Sequence, residues 1–242
     1  MSELKEKTDN KITTYMERSL HASLKEHFCP DRSRHELKIG RYVADACDGK
    51  TIFEIQTGNF SPLVKKIKFY LENTDLDVVV VRPIAQNRRI FWLDAASGEL
   101  NKPSRPSPRH ENIACGIADL FYVRELLGEK RLSFCFVLMD VNEVRLLDGY
   151  GKDKKKRATS LDRLAGEIYS LTYINSLDDV RDILFPLLPD SPFSRDELAK
   201  CLKLGGLKLW SAQKLLVETG LLSSERDGKR LVFEKRYWAS AP

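Results

Sequence analysis

Asp77-Val78-Val79-Val80-Val81 is the stretch that most narrows what this chain can fold into. It is a continuous apolar run rich in β-branched residues, and such a run marks a strand buried on both faces. A strand of that kind needs helices above and below it, so the remaining sequence is read for elements that could supply them. Arg89 to Leu93 reads as a hairpin partner of this run, and Ser97 to Pro108, with three prolines, reads as a loop. Ile113 to Leu127 reads as helical and Leu132 to Val144 as a further strand.

Upstream, Thr13 to Phe28 has Leu20, Leu24 and Phe28 at helical spacing, and Cys29-Pro30 ends the pattern. His35 to Ile39 and Arg41 to Cys47 read as short strands parted at Gly40, and Asp48-Gly49 predicts a type I′ turn into Thr51 to Gln56. Ser61-Pro62 then opens a helix with the stripe Leu63, Ile67, Tyr70 and Leu71. The predicted fold class is α/β, a mixed sheet flanked by helices. Further on, Ser160 to Leu171 and Leu177 to Phe185 read as helices. After Pro186, a helix from Ser194, a Gly205-Gly206 turn, a helix from Lys208 to Thr219 and a hairpin spell a winged helix-turn-helix. The expected division is 1–150 for the sheet domain, 151–185 for a basic loop and helical connector, and 186–242 for the winged helix.

Composition limits the function classes. With 242 residues, 42% apolar and 31% charged, the chain can build a core, and no run approaches the length of a membrane span. Met1 to Lys11 is polar and carries no apolar signal core. The five cysteines are scattered without a CxxC pair, which points to a reduced, cytoplasmic protein rather than a disulfide or zinc framework. The net charge of +5 is modest, but Lys152 to Arg157 holds four Lys, one Arg and a single Asp. Lys154, Lys155, Lys156 and Arg157 are therefore candidates for phosphate contact, with a solvated loop as the alternative. Lys102, Arg105 and Arg109 form a second, sparser basic stretch.

The chemistry concentrates in Asp45 and Glu54-Ile55-Gln56. Two antiparallel strands joined by a tight turn bring Asp45 and Glu54 to neighbouring positions on one sheet. Unpaired carboxylates flanked by Ile52, Phe53 and Ile55 would be costly to bury. A hard divalent cation, Mg²⁺ or Mn²⁺, removes that cost by taking one or two carboxylates plus waters and phosphate oxygens. Glu17 falls on the helix face of Leu20, Leu24 and Phe28, with His21 one turn later; a helix-stabilising pair is the plainer alternative.

A strand Asp, a turn and Glu-x-Gln on the next strand resemble the PD-(D/E)xK nuclease superfamily, over roughly Thr13 to Asp94. The segments around Glu17-Arg18-Ser19-Leu20-His21 and Glu54-Ile55-Gln56-Thr57-Gly58-Asn59-Phe60 further resemble a group of bacterial proteins that join a nuclease-like domain to a C-terminal winged helix. The resemblance implies a restriction-endonuclease-like fold and Mg²⁺-dependent hydrolysis of DNA. Asp45, Glu54, Glu17 and the Ile55 carbonyl would hold the metal. The superfamily usually has Lys where this chain has Gln56; Gln56 would orient the attacking water, and Lys66 on the next helix is the candidate for the missing charge. Within the winged helix, Lys208, Ser211 and Lys214 are expected on the outward side of the second helix, facing DNA, while Ala212, Leu215 and Leu216 face inward. Two other functions stay open on the sequence: a non-catalytic DNA-binding regulator, or a docking module of a defence or repair complex, as a homodimer or a larger assembly.

Overall fold

The computed structural model describes residues 19–97, 100–101, 106–150, 157–228 and 230–237. Glu17, Lys102, Arg105, Lys154, Lys155 and Lys156 lie outside the described residues.

A short helix, α1 (Leu20–Phe28), opens the described chain, its first turn capped by the Ser19 hydroxyl, which accepts from the Ala22 N–H at 3.1 Å. Three antiparallel strands follow: β1 (His35–Ile39), β2 (Tyr42–Cys47) and β3 (Thr51–Ile55). Helix α2 (Leu63–Asn73) then crosses over to β4 (Asp77–Asp94), which lies parallel to β3. After the two-residue β5 (Leu100–Asn101), α3 (Ile113–Asp119) leads to β6 (Leu132–Leu147), parallel to β4, and β7 (Thr159–Ile174) returns antiparallel along β6. Among the described residues the order is β1-β2-β3-β4-β6-β7, with β5 paired to β4.

The valine run behaves as its composition demands. Val78 and Val80 pack with Ile67 and Tyr70 of α2 and Ile117 of α3 on one face. Val81 packs with Leu20 and Leu24 of α1 on the other. At about 25 cal/mol per Å² of apolar surface, covering both faces is the main drive toward the layered fold.

Four expectations are corrected. Arg89 to Leu93 does not fold back on the valines; it continues β4, and Arg89 pairs with Asn142 of β6. Ser160 to Leu171 is strand, not helix. Its leucines recur at helical spacing, but β7 carries bulges that break the alternation, and the long β6 offers a ladder that outweighs the local pattern. The Asp48-Gly49 turn is not a two-residue I′ hairpin. Cys47 pairs with Ile52, so the loop is 48–51, held by Asp48 Oδ1, which accepts from the Lys50 and Thr51 N–H groups at 2.8 Å. The helical reading of Ile113 to Leu127 holds only as far as α3; Leu120–Leu126 is a 3₁₀ segment kinked at Val123.

The C-terminal unit begins with α4 (Leu177–Leu184), and then β8 (Phe193–Ser194), α5 (Arg195–Leu202), α6 (Gly206–Glu218), β9 (Leu222–Asp227) and β10 (Arg230–Lys235). Ser194 and Glu197 form a reciprocal capping box, and the strands make a small sheet in the order β8-β10-β9. Phe193, Leu198, Leu209, Leu215 and Phe233 belong to the same apolar cluster as the α2–α3 face of the large sheet.

Candidate functional site

The four-residue loop has a chemical consequence. A two-residue turn would set Asp45 across from Ile52. With Cys47 opposite Ile52 and Ala46 opposite Phe53, the next step of the register brings Asp45 to Glu54. The ladder stops one step short of that pair. There the Asp45 carboxylate takes over a backbone role, and its Oδ2 accepts from the Ile55 N–H at 2.7 Å. The same oxygen lies 3.2 Å from His21 Nε2 on α1.

Glu54 is only 2% exposed. Its carboxylate is gripped from α2: Lys66 Nζ donates to Oε2 at 2.6 Å and the Tyr70 hydroxyl to Oε1 at 3.2 Å. Lys66 and Tyr70 are four positions apart, so one helix face delivers both donors. Burial pushes the Glu54 carboxyl up to about 7, the Lys66 ion pair works against that, and the Asp45 charge adds to it. Burial also raises Asp45, but hydrogen bonds from His21 and the Ile55 N–H outweigh it and leave Asp45 below the ordinary carboxylate range. The Tyr70 hydroxyl is raised by burial and by Glu54 beside it, so it stays a proton donor. Two neighbouring carboxylates are thus pulled in opposite directions, the pattern found where charge is managed for chemistry.

The remaining sequence candidates fall as follows. Gln56 follows directly on β3, where its N–H pairs with the Val81 carbonyl at 2.8 Å and its side-chain amide donates to the Asn59 carbonyl. Lys66 stands in the site, as the sequence allowed. Arg157 is exposed, and Lys214 is near the surface, 3.7 Å from Glu218. Ser211 does not face outward, and Lys208, though partly exposed, has its amine engaged by the protein. Ser211 is 1% exposed, and the Lys208 amine is bonded to Asp119 of α3. The inward stripe of Ala212, Leu215 and Leu216 is buried as expected.

Tyr70 escaped the sequence reading because its spacing placed it in an apolar stripe; its position one turn after Lys66 was the available signal. Two carboxylates with a further oxygen donor suit a hard cation, which needs few protein ligands. Asp45 and Glu54 are carboxylates of that kind, and both Glu54 oxygens accept from Lys66 and Tyr70. Among the described residues no group of three or more His, Cys, Asp and Glu is placed to hold a metal ion. No described helix is long and apolar enough to cross a membrane.

Comparison with known proteins finds the family model of a domain of unknown function, DUF8091, matching residues 18–175. That span holds β1 to β7 and the whole carboxylate site, and ends just before α4. A protein of Treponema pallidum (strain Nichols), described as uncharacterised, is 28% identical over 191 residues, 78% of this chain and 74% of its own. No solved structure matches.

Proposed function

The chain belongs to the DUF8091 family, and we propose that it is a Mg²⁺- or Mn²⁺-dependent nuclease that hydrolyses phosphodiester bonds in DNA. The observation that carries this reading is the 2.6 Å bond from Lys66 to Glu54. A superfamily lysine two residues after the strand glutamate is replaced here by Gln56, and Lys66 brings a cation to the same carboxylate from the following helix. The order of helix, three antiparallel strands, helix and a strand parallel to β3 supports a restriction-endonuclease-like fold.

In this reading Asp45 and Glu54 hold the metal, with Glu17 and the Ile55 carbonyl as further oxygen donors. The bound ion acts as a Lewis acid and lowers the pKa of water. Lys66 offsets charge that builds on the phosphate oxygens. The Gln56 amide orients the attacking water, and His21 keeps Asp45 turned toward Glu54. The helix pair α5–α6 with the β9–β10 hairpin is read as a winged helix, contacting DNA through Lys214, with Lys154, Lys155, Lys156 and Arg157 on phosphates.

Cleavage of duplex, branched and single-stranded DNA and of RNA, with Mg²⁺ and Mn²⁺, tests the proposal. Wild type should cleave, and Asp45→Asn and Glu54→Gln should each abolish cleavage in folded protein, because both keep shape and remove the charge a hard cation needs. Unimpaired cleavage by either variant sinks the assignment. One observation favours the rival of a non-catalytic DNA-binding regulator: both Glu54 oxygens already have donors in Lys66 and Tyr70. Salt-dependent DNA binding without cleavage, and no thermal stabilisation by either metal, would select it.

A further inference from the structure

We propose that Lys208 is a positioning residue for the carboxylate site: the C-terminal helix pair holds the loop after β3 in place through a Lys208–Asp119–Arg82 chain whose Asp119–Arg82 link is buried. This rests on the nuclease reading for its catalytic consequence, but not for its structural one.

Each link is a direct bond. The Lys208 amine donates to Asp119 Oδ1 and lies 3.3 Å from the Cys115 carbonyl. Arg82 Nε donates to the other Asp119 oxygen at 3.1 Å. Arg82 Nη1 donates to the Thr57 carbonyl at 3.2 Å and to the Pro83 carbonyl at 3.0 Å. Thr57 directly follows Gln56, whose side chain is tied in turn to the Asn59 carbonyl. The chain of contacts therefore runs from α6, through α3 and β4, to the loop that sets the Gln56 amide. Arg82 and Asp119 are 7% and 5% exposed, so these charges are little screened by water. Gly58, Asn59, Arg82, Asp119 and Lys208 line one cleft of about 280 Å³. The C-terminal unit thus forms one wall of the cleft beside the loop that follows Gln56.

The geometry explains why removing a distant amine reaches Gln56. Asp119 divides its two oxygens between Lys208 and Arg82. With Lys208 gone, the carboxylate is free to turn both oxygens to the guanidinium fork, the geometry Arg favours. That draws Nη1 away from Thr57 and releases the loop.

Lys208→Met in the full chain tests this, with Lys208→Arg as the conservative variant. In Lys208→Met, amide order parameters of Thr57, Gly58 and Asn59 should fall from about 0.85 toward 0.6, while those of α6 stay rigid. In the nuclease assay kcat should drop at least tenfold with KM within twofold, and Lys208→Arg should recover most of both. Unchanged order parameters in the loop overturn the proposal. A loss confined to KM with a flatter salt dependence also overturns it, since that is the signature of a phosphate contact. If wild type cleaves nothing, the nuclease reading fails by itself, and the order parameters still decide whether Lys208 holds the loop.

Discussion

Glu54 shows how one residue can be legible in role and hidden in partnership. The sequence marked it as a carboxylate between apolar neighbours that needed a counter-charge, and it pointed to a divalent cation. The structure supplies Lys66 at 2.6 Å, with both groups largely buried. Removing one partner of such a pair strands the other charge, which costs roughly 3–5 kcal/mol, whereas removing both is often close to neutral. At pH 8, above the raised Glu54 value of about 7, Lys66→Met alone should therefore destabilise the metal-free chain by about that amount, and Glu54→Gln combined with Lys66→Met should recover most of it. Urea denaturation of the two single variants and the double variant closes the cycle. Additive losses would mean the two side chains are not coupled. Gln56 was legible as a departure from the lysine expected there, but not its tie to Asn59. That tie depends on the course of the Thr57–Asn59 loop, which local propensity does not specify.

At the scale of elements, the sequence signal was reliable where burial on both faces forces one pattern, as in the valine run that opens β4 and in β6. It failed where the decisive partner lies far along the chain. In β7, Leu161, Leu164, Ile168 and Leu171 mimic a helix stripe, yet the strand is held by β6, and Gly166 marks the place where the two backbones crowd. A Cβ there would sit 2.9 Å from the Asp140 carbonyl oxygen. Charges also bind these strands. Glu143 of β6 is 5% exposed, accepts from Arg145 Nε at 2.9 Å and from Ser160 of β7 at 3.3 Å, and lies 3.8 Å from Arg88 of β4. Burial raises its carboxyl, but Arg145 and then Arg88 outweigh that and lower it below the ordinary value near 4.5. A lowered carboxylate contributes stability that is fully present above its unfolded pKa and is lost as pH falls through its folded one. Glu143→Gln should therefore cost roughly 2–3 kcal/mol at pH 7, the scale of hydrogen bonds to charged groups. The two stability curves should converge below about pH 4.5. Chemical denaturation from pH 3 to 7 reads both, and a gap independent of pH would assign the loss to shape rather than charge.

For the whole molecule, the order of elements after Pro186 suggested a separate module, and the element types there were legible because caps and glycines announce them locally. The docking was not legible, since nothing in α6 alone states that Lys208 meets α3. That contact has a thermodynamic consequence. Independent domains share few buried contacts and melt separately, whereas units joined through one core unfold together. Here one apolar cluster joins Ile117 and Ala118 of α3 to Leu209, Ala212 and Leu216 of α6. Arg124 also reaches Glu218 of α6 at 2.8 Å, and the Asn112 amide donates to the Leu202 carbonyl of α5 at 3.0 Å. Separating the units would expose apolar surface on both sides and leave Asp119 buried with half its partners. The full chain should accordingly show a single thermal transition, with calorimetric and van't Hoff enthalpies equal within error. Lys208→Met should lower that one midpoint rather than split it. Two resolved transitions in the wild type would show that α5 and α6 stand apart from the sheet, and the C-terminal unit would then be free to act alone.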